Sequence, residues 1–461
     1  MTATLPSGPL VAWYGDDYTG SAACMEVLTF AGIPSVLFLD PPTPEQARRF
    51  SDKRGIGLAG TARSQTPAWM DTELRGIFDW LKSVRAEISH YKICSTLDSS
   101  SQVGSIGRAA DIAAQVFDGW MPVYPAAPPI RRYQAFGTLF AAGPSGVVRL
   151  DRHEVMNAHP VTPISEADVR RVLALQTERP LGLISIEDLR DADTAAAALQ
   201  RELATGRKLI AVDTVSTADL AQVGALLWGN RSNGMLAVGS QGVEYALIAH
   251  WRAKGLIAEA PVFPGAGGAK QMIAVSGSAS ALTADQISHA STKGFTTIAL
   301  DAAACMRESS AIAVFELAAI DALSKGQDVL IYSAKGPLDP ALKDFREASD
   351  RRGISAEAAN HELGAILGRL LADLLGKTKI KRAAISGGDT SGHAARQLGI
   401  YALTAIAPTV PGAALCLAHS QDTSQDGLQL ALKGGQMGSL DYFDWIRRGG
   451  GPAQETEKFN V

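Results

Sequence analysis

Cysteine is scarce in this sequence, and the cysteines that are present form none of the familiar metal-binding patterns. The chain of 461 residues has four cysteines. Cys24, Cys94, Cys305 and Cys416 lie far apart, with no CxxC pair, and the HExxH pattern of zinc proteases is absent. These absences argue against a zinc knuckle and a metalloprotease site, and they favour a reduced, cytoplasmic protein.

An excess of either charge is also lacking, since 43 Lys and Arg oppose 47 Asp and Glu, for a formal net charge of −4. Such a chain has no general positive field to attract nucleic acid or an anionic lipid surface. No apolar run reaches the roughly 20 residues that span a bilayer, because Pro408 and Pro411 interrupt Tyr401–Ala418. The first residues lack the basic and apolar regions of a signal peptide. We therefore expect no nucleic-acid or membrane partner and a cytoplasmic location.

Short runs rich in Val, Ile and Leu alternate with Ala-rich amphipathic stretches along the whole chain. Leu10–Tyr14 and Ala383–Ile385 are examples of the runs, and Ile106–Phe117 of the stretches. This alternation predicts an α/β fold with mainly parallel sheets. The hydrophobic content of 46% allows substantial cores, and the length suggests two or three domains. Two prolines and three glycines in Ala260–Lys270 predict a linker, which gives domains of residues 1–262 and 270–461.

Two adjacent aspartates follow the first predicted strand, in the sequence GDDYTGS. Ligands of parallel α/β sheets collect at the carboxyl ends of strands, where Asp16 and Asp17 are expected. One carboxylate could accept a proton from a substrate hydroxyl while the other holds a loop or a metal ion. The alternative is that the pair only caps the helix predicted from Ser21. A cap needs a single acid, and Thr19 could also serve, so the pair favours a functional role.

A segment rich in hydroxyl groups, HYKICSTLDSSSQVGSIG, begins at His90 and leads into the helix predicted from Ile106. Its Ser and Thr side chains can donate and accept hydrogen bonds, and Lys92 could face an anionic group. These properties suit a polyhydroxylated ligand. A serine-rich surface turn explains the same composition, and the residues alone do not separate the two interpretations.

Three glycine-rich segments lie in the second half of the chain: SGSAS from Ser276, SGGDTSG from Ser386 and KGGQMG from Lys433. The first two follow a predicted strand and lead into a helix, which offers backbone N–H groups and the positive helix end to an anion such as a nucleotide phosphate. None matches a Walker A loop or a dinucleotide fingerprint. One such segment is more often a tight turn than a site, but three in one half of the chain favour a phosphate pocket.

These segments, in this order, resemble the motifs of the four-carbon acid sugar kinase family. The motifs are GDDYTGS, KICSTLDSS with its following GSIG, PAAPPIRRYQAFG, HPVTP, SGGDTSG and LKGGQMGS, and they extend over nearly the whole chain. The resemblance implies an N-terminal sugar-acid-binding domain, a C-terminal nucleotide-binding domain and an active-site cleft between them. It also implies that ATP, with Mg²⁺, phosphorylates a small sugar acid.

Carried over by position, the resemblance assigns roles to individual residues. Asp17 is predicted to accept the hydroxyl proton, and Asp16 to orient the loop or a metal-bound water. The predicted substrate-binding residues are Arg63, Lys92, Ser95, Thr96 and Asp98. The predicted nucleotide-binding residues are Ser276, Gly277, Ser278, Gly387, Gly388, Asp389, Thr390, Gly434 and Gly435. The resemblance identifies no metal ligand.

The second motif departs from the usual family form, Lys-x-Asp-Ser-Thr-x-Arg-Gly. Cys94 stands at the Asp position and Asp98 at the Arg position. Losing an Arg and gaining an Asp changes the charge that faces the ligand by about two units, which weakens a simple carboxylate clamp. We therefore expect a different substrate. The altered motif resembles a branch of the family that acts on branched or oxidised sugar acids such as 3-oxo-isoapionate, rather than on threonate or erythronate.

Other function classes stay open at this point. A dehydrogenase or an aldolase acting on the same acids would also suit a two-domain α/β chain, although the absence of GxGxxG and of a clear Schiff-base lysine weakens both. A non-catalytic sugar-acid sensor would not need paired aspartates. A homo-oligomer is compatible with the sequence, which identifies neither the exact acid nor the hydroxyl that is phosphorylated.

Overall fold

The computed structural model describes residues 4–143, 145–157, 161–231 and 234–452, without the side chains of residues 389 and 390. These residues form two compact units. The first unit contains residues 4–36 and 43–261, and the second contains residues 37–42 and 262–452.

The first unit is built on short, mostly apolar strands. They are β1 (Val11–Gly15), β2 (Ser35–Phe38, of which residues 35 and 36 belong to this unit), β3 (Gly55–Leu58), β4 (Ile88–Lys92), β5 (Met121–Tyr124), β6 (Arg132–Ala135), β7 (Thr138–Gly143), β8 (Gly146–Arg149), β9 (Leu181–Ile184), β10 (Leu209–Val212) and β11 (Leu236–Gly239). The main sheet has the spatial order β2-β3-β1-β4-β11-β5-β10-β9. Within this order, each neighbouring pair between β3 and β9 is parallel. Continuous apolar runs such as VAWYG suit a parallel sheet that is covered on both faces.

Helices connect these strands, and several begin at a side-chain cap. They are α1 (Tyr18–Phe30), α2 (Pro44–Arg48), α3 (Pro67–Ser83), α4 (Ile106–Ala113), α5 (Glu154–Asn157), α6 (Val169–Ala174), α7 (Ala192–Ala204), α8 (Leu220–Gly229) and α9 (Gly242–Ala253). Thr66 caps α3 and Ser105 caps α4, because each hydroxyl accepts a hydrogen bond from the backbone N–H three residues later.

The strands β6, β7 and β8 form a separate antiparallel sheet. The buried carboxylate of Asp213, just after β10, holds its first hairpin in place. Asp213 accepts hydrogen bonds from the backbone N–H of Gly137 at 2.9 Å and from Gln134 Nε2 at 3.1 Å. The backbone of Gln134 also pairs with that of Thr214. These hydrogen bonds hold β6 at the carboxyl ends of the parallel strands of the first unit.

The second unit contains β12 (Ile273–Ser276), β13 (Phe295–Ala299), β14 (Asp328–Tyr332), β15 (Arg382–Ser386), β16 (Ile400–Ala407), β17 (Leu415–Ser420) and β18 (Gln429–Lys433). Its sheet has the order β13-β14-β12-β15-β18-β17-β16. In this spatial order, the neighbouring strands β13, β14, β12, β15 and β18 are parallel. β17 pairs antiparallel with both of its neighbours, β18 and β16.

The helices of the second unit are α10 (Ala281–Thr292), α11 (Ala302–Arg307), α12 (Ile312–Ser324), α13 (Ala341–Arg351), α14 (Ala356–Thr378), α15 (Gly388–Gln397) and α16 (Tyr442–Arg448). Tyr442, Phe443 and Ile446 of α16 are buried in one cluster with Leu330 and Ala431 of the sheet. The last helix of the described chain is therefore part of the core of its unit. No helix within the described ranges has both the length and the apolar character that a bilayer crossing requires.

The predicted α/β class with mainly parallel sheets is confirmed. The antiparallel β16 and β17 are a difference, because the stretch around Pro408 and Pro411 was interpreted only as a broken apolar run. Both prolines lie between the two strands, where a residue without a backbone N–H removes no ladder hydrogen bond.

Candidate active site

The predicted acidic pair lies directly after β1, at the carboxyl edge of the first unit's sheet. Asp17 is the N-cap of α1, which begins at Tyr18 rather than at Ser21. One oxygen of the Asp17 carboxylate accepts from the backbone N–H of Gly20 at 3.1 Å, and the other accepts from the Thr19 hydroxyl at 2.6 Å. Asp17 therefore does cap the helix, while its neighbour Asp16 is almost fully buried and has a different partner.

Arg63 holds both carboxylates. Its Nη2 lies 2.6 Å from Asp16 Oδ1 and 2.6 Å from Asp17 Oδ1, and its Nε lies 3.2 Å from Asp16 Oδ2. Backbone hydrogen bonds fix the same geometry, because the N–H of Arg63 donates to the carbonyl of Asp16 at 2.9 Å. A bidentate guanidinium of this kind fixes orientation as well as charge.

The surroundings shift the pKa values of the two carboxyl groups in opposite directions. Burial is the largest influence on Asp16 and raises its pKa, against the attraction of Arg63. Burial acts in the same direction on Asp17, but the nearby charges of Arg63 and Lys92, with the hydrogen bonds from Thr19 and Gly20, outweigh it and lower the pKa. The lowered pKa keeps Asp17 ionised at neutral pH, which is the form that can accept a proton.

Lys92 ends β4 and lies beside the acidic pair. Its side chain is buried, and Nζ donates to the carbonyl of Ile93 at 2.8 Å. Gly20 leaves the space for this arrangement, because a Cβ there would lie 2.7 Å from Lys92 Nζ and 2.2 Å from Asp17 Oδ1. The first turn of α1 thus needs a glycine so that the ammonium can approach Asp17.

The loop after β4 carries a chain of polar side chains. The Thr96 hydroxyl donates to Asp98 Oδ1 at 2.7 Å, and Cys94 Sγ lies 2.9 Å from the same hydroxyl oxygen. Burial, reinforced by Asp98, raises the pKa of the Cys94 thiol to about 11, so the thiol stays protonated. Cys94 also interacts electrostatically with Arg63 and Lys92. This loop, in which Ser95 is half-buried, therefore approaches the predicted catalytic residues.

A second polar cluster lies within the same unit, and the sequence analysis did not identify it. His90 Nδ1 is 2.7 Å from Glu244 Oε1, and Cys24 Sγ donates to the other oxygen at 3.3 Å. All three side chains are fully buried. Burial keeps the pKa of the Cys24 thiol well above its usual range, so the thiol is a hydrogen-bond donor and not a thiolate ligand. This cluster joins α1, β4 and α9.

The three glycine-rich segments of the second unit lie side by side. Ser276, Ser386 and Lys433 end β12, β15 and β18, and the parallel registers place Ser276 opposite Ser386 and Ser386 opposite Lys433. The turns are also joined by hydrogen bonds of 2.9 Å, from Gly277 N to the Ser386 carbonyl and from Gly387 N to the Lys433 carbonyl. The strand ends therefore present the predicted nucleotide-binding segments at one edge of the sheet.

The N-cap residue of α10 and a side chain in its first turn attach the third segment to the first. The Ser280 hydroxyl donates to the Gly435 carbonyl at 2.5 Å, and the Thr283 hydroxyl lies 2.9 Å from the same oxygen. Gly435 packs so closely that a Cβ would lie 2.5 Å from Ser278 Oγ. A Cβ on the neighbouring Gly434 would lie 3.0 Å from Met437 Sδ.

The second segment supplies a helix N-terminus. Gly387 precedes α15 with φ at 140°, a conformation that favours glycine, and none of the described side chains caps the helix. A Cβ on Gly388 would meet no described atom within 4 Å. The hydroxyl of Ser386 is buried and has no hydrogen-bond partner among the described atoms. Such groups are suited to an anionic ligand. The predicted Asp389 and Thr390 lie in α15, with side chains outside the described part of the structure.

Lys433 begins the KGGQMG segment, and the sequence alone assigns it no role. Its ammonium is fully buried and donates to Thr283 Oγ1 at 3.2 Å and to the Gly434 carbonyl at 3.1 Å. None of the described carboxylates forms an ion pair with it. Burial lowers the pKa of Lys433 to about 7. A lysine at the end of a strand, directly before two glycines, was the signal in the sequence that could have identified it.

Comparisons with known proteins agree with this arrangement. Residues 11–247 match the family model of the sugar-binding N-terminal domain, and residues 273–443 match that of the nucleotide-binding C-terminal domain. Two solved structures, from Salmonella typhimurium and Haemophilus influenzae, have TM-scores of 0.75 and 0.71 at 23% identity. Each covers 95% of this chain, and the chain covers 98% and 99% of theirs. At this identity they show the fold alone.

Two curated relatives are similar over nearly the whole length. A 3-oxo-isoapionate kinase from Paraburkholderia graminis is 43% identical over 448 residues, which are 96% of this chain and 95% of that protein. A 3-oxo-tetronate kinase from Cupriavidus necator is 28% identical over 456 residues, 96% of this chain and 98% of that protein. One family model covers more than half of the chain, and the first of these relatives extends over almost all of it. The chain therefore belongs to the four-carbon acid sugar kinase family.

Proposed function

We propose that this protein is an ATP-dependent kinase that phosphorylates a hydroxyl of a small sugar acid, with 3-oxo-isoapionate as the first candidate substrate. The observation that carries the proposal is the Asp17 carboxylate, which Arg63 and Lys92 hold in its ionised form at a strand end of the first unit. The similarity to a 3-oxo-isoapionate kinase supports the choice of substrate. We also propose that residues 1–262 bind the acid and residues 270–461 bind the nucleotide, in the cytoplasm.

In the first unit, Asp17 would act as the general base. The substrate oxygen forms a bond to the γ-phosphorus of ATP, its proton moves to the Asp17 carboxylate, and ADP leaves with the electrons of the broken P–O bond. Phosphoryl transfer depends chiefly on positioning and charge stabilisation. A carboxylate with a lowered pKa can therefore serve, provided that it is ionised and held in place. Asp16, through Arg63, would keep it in place.

In the second unit, the phosphates would meet the turn at Ser276, the uncapped N-terminus of α15 at Gly387 and the segment at Gly434. These groups offer backbone donors that are fixed before the ligand arrives, so little reorganisation accompanies binding. The buried ammonium of Lys433 would add a positive charge that has no competing carboxylate among the described side chains.

Magnesium would enter with the nucleotide. Among the described side chains, the grouping that could hold a metal through three ligands is Cys24, His90 and Glu244. Sulfur and nitrogen ligands do not suit Mg²⁺, which prefers oxygen and commonly binds through substrate phosphates, waters and one or two carboxylates. When bound to the phosphates, Mg²⁺ would neutralise part of their charge.

A panel assay of ADP release tests the proposed function. The protein is incubated with MgATP and, separately, with 3-oxo-isoapionate, 3-oxo-tetronate, threonate and erythronate. We expect rapid ADP release with 3-oxo-isoapionate and at least tenfold lower kcat/KM with threonate. Binding of both ligands without ADP release would indicate a sensor, and turnover without consumption of ATP would indicate an aldolase or a dehydrogenase. Either result would contradict a kinase.

Nucleotide binding is expected to take up a proton at Lys433. With a pKa of about 7 in the free protein, Lys433 is mostly neutral at pH 8, and the triphosphate would restore its charge. We expect uptake of about 0.9 proton per ATP at pH 8. Isothermal titration in buffers of different ionisation enthalpy measures this number. Lys433→Met should reduce it to near zero, and equal uptake by the wild-type protein and this variant would show that another group titrates.

A further inference from the structure

We propose that Arg132 binds the carboxylate of the sugar acid. This inference rests on the proposed function, because it names a contact of the same substrate. It concerns a residue to which neither the motifs nor the relatives' names assign a role.

The topology brings Arg132 to the required edge of the sheet. β4 and β5 both run parallel to β11, which lies between them. The loop that carries Cys94 and Asp98 follows β4, and the segment that leads to Arg132 follows β5, so both segments emerge at the same edge. Arg131 has a positive φ of 58° and turns the chain at this point. The backbone of Arg132 then pairs with that of Ala127, with hydrogen bonds of 2.9 and 3.2 Å.

The guanidinium of Arg132 is anchored on one side and unsatisfied on the other. Its Nη1 lies within hydrogen-bond distance of the carbonyls of Ile130, Arg131 and Ala142, at 3.2 to 3.4 Å. Its Nε is buried and has no acceptor among the described atoms. No described carboxylate forms an ion pair with Arg132. A held guanidinium with an unused buried donor suits an incoming carboxylate, since the bond would satisfy both groups.

The surroundings of Arg132 connect it to the candidate active site. Cys94 and Asp98 both interact electrostatically with Arg132, and Cys94 does so with Arg63 and Lys92 as well. Burial lowers the pKa of Arg132, but an arginine stays charged at physiological pH. Its charge is therefore present in the free protein.

Arg63 is less available for the substrate, although it lies in the same region. Its Nε and Nη2 already contact Asp16 and Asp17 at 2.6 to 3.2 Å. A substrate carboxylate that took these donors would leave the buried Asp16 without its partner, which is costly. Among the described side chains, Arg132 has no such competing carboxylate in contact, and it is the better site for the acid group.

Equilibrium binding of the sugar acid in the absence of ATP tests the proposal, because this measurement does not depend on turnover. The ligands are 3-oxo-isoapionate and its uncharged amide, measured by isothermal titration with the full chain. We expect the wild-type protein to bind the acid about 10- to 100-fold more tightly than the amide. Arg132→Met should lose most of this preference by weakening the acid alone, and Arg132→Lys should keep part of it.

Arg149→Met is the matched control, because Arg149 lies in the same antiparallel sheet, is exposed and pairs with Asp151. It removes an equal charge and should leave both affinities unchanged. Equal preference for the acid in the wild-type protein and Arg132→Met would overturn the proposal, as would absence of any preference in the wild-type protein. If Arg132→Met does not fold, Arg132→Lys is used in its place. An Arg132→Lys variant with the same affinities for the acid and the amide as Arg149→Met would also overturn the proposal. Preferential acid binding by a protein that never releases ADP would contradict the kinase function and not the role of Arg132.

Discussion

Asp17→Asn is expected to lower kcat by about 10²- to 10⁴-fold while leaving the KM for ATP nearly unchanged. The amide cannot accept the proton of the substrate hydroxyl. It can still cap α1, because its oxygen can accept from the backbone N–H of Gly20 as the carboxylate does. Steady-state kinetics with 3-oxo-isoapionate and ATP, together with a thermal melt, measure the chemical and structural effects separately.

The control for this variant is Asp191→Asn. Asp191 is also an N-cap, of α7 in the same unit, and it is exposed. Like Asp17, its carboxylate accepts a hydrogen bond from the backbone N–H three residues later, that of Thr194, at 2.8 Å. The control should retain full kcat. An Asp17→Asn variant with the kcat of the wild-type protein would remove Asp17 from the mechanism.

Arg63→Met is expected to lower the free energy of unfolding by about 3–5 kcal/mol at pH 7. The substitution leaves the carboxylates of Asp16 and Asp17 close together in a buried position without their shared cation. Urea denaturation of the variant and the wild-type protein measures the difference. Arg75→Met is the control, because the exposed pair of Arg75 with Asp79 should contribute less than about 1 kcal/mol.

The deficit of Arg63→Met should depend on pH. In the wild-type protein, the lowered pKa of Asp17 contributes stability above its unfolded-state pKa, and this contribution is lost as the pH falls through the lower folded-state value. The variant lacks the cation that lowers this pKa. The difference between the two proteins should therefore be largest above about pH 4, the ordinary pKa of an aspartate, and should shrink as the pH falls below it. Adding Asp16→Asn should recover part of the stability at pH 7. A deficit below 1 kcal/mol at pH 7, or one independent of pH, would contradict the electrostatic role of Arg63.

Local patterns in the sequence were sufficient for most of the fold. Apolar runs such as Val11–Gly15 and Ile273–Ser276 form strands because a fully covered parallel strand requires a continuous apolar segment. The start of α1 was placed three residues late, since Ser21 and Thr19 are also good caps, and only the structure shows that Asp17 accepts from Gly20. The antiparallel pair β16 and β17 was missed because two prolines masked the strands on either side.

The contacts within the candidate site could not be derived in the same way. Asp16 and Arg63 are 47 residues apart, and the parallel pairing of β1 with β3 brings their segments together. His90 and Glu244 are 154 residues apart. A spacing of this size carries no periodic signal, so the residue types were visible in the sequence while their contacts were not. The same holds for Arg132, because only the structure shows that its buried Nε has no acceptor among the described atoms.

We propose that the terminal phosphoryl group of ATP is transferred to a hydroxyl of the sugar acid. Phosphorus NMR of a reaction containing 3-oxo-isoapionate, ATP and Mg²⁺ detects the product of this transfer. We expect one new phosphomonoester resonance that grows in equal amount to ADP with the wild-type protein and is nearly absent with Asp17→Asn. Release of inorganic phosphate in place of the phosphomonoester, or unchanged ATP in the presence of every acid in the panel, would contradict the claim.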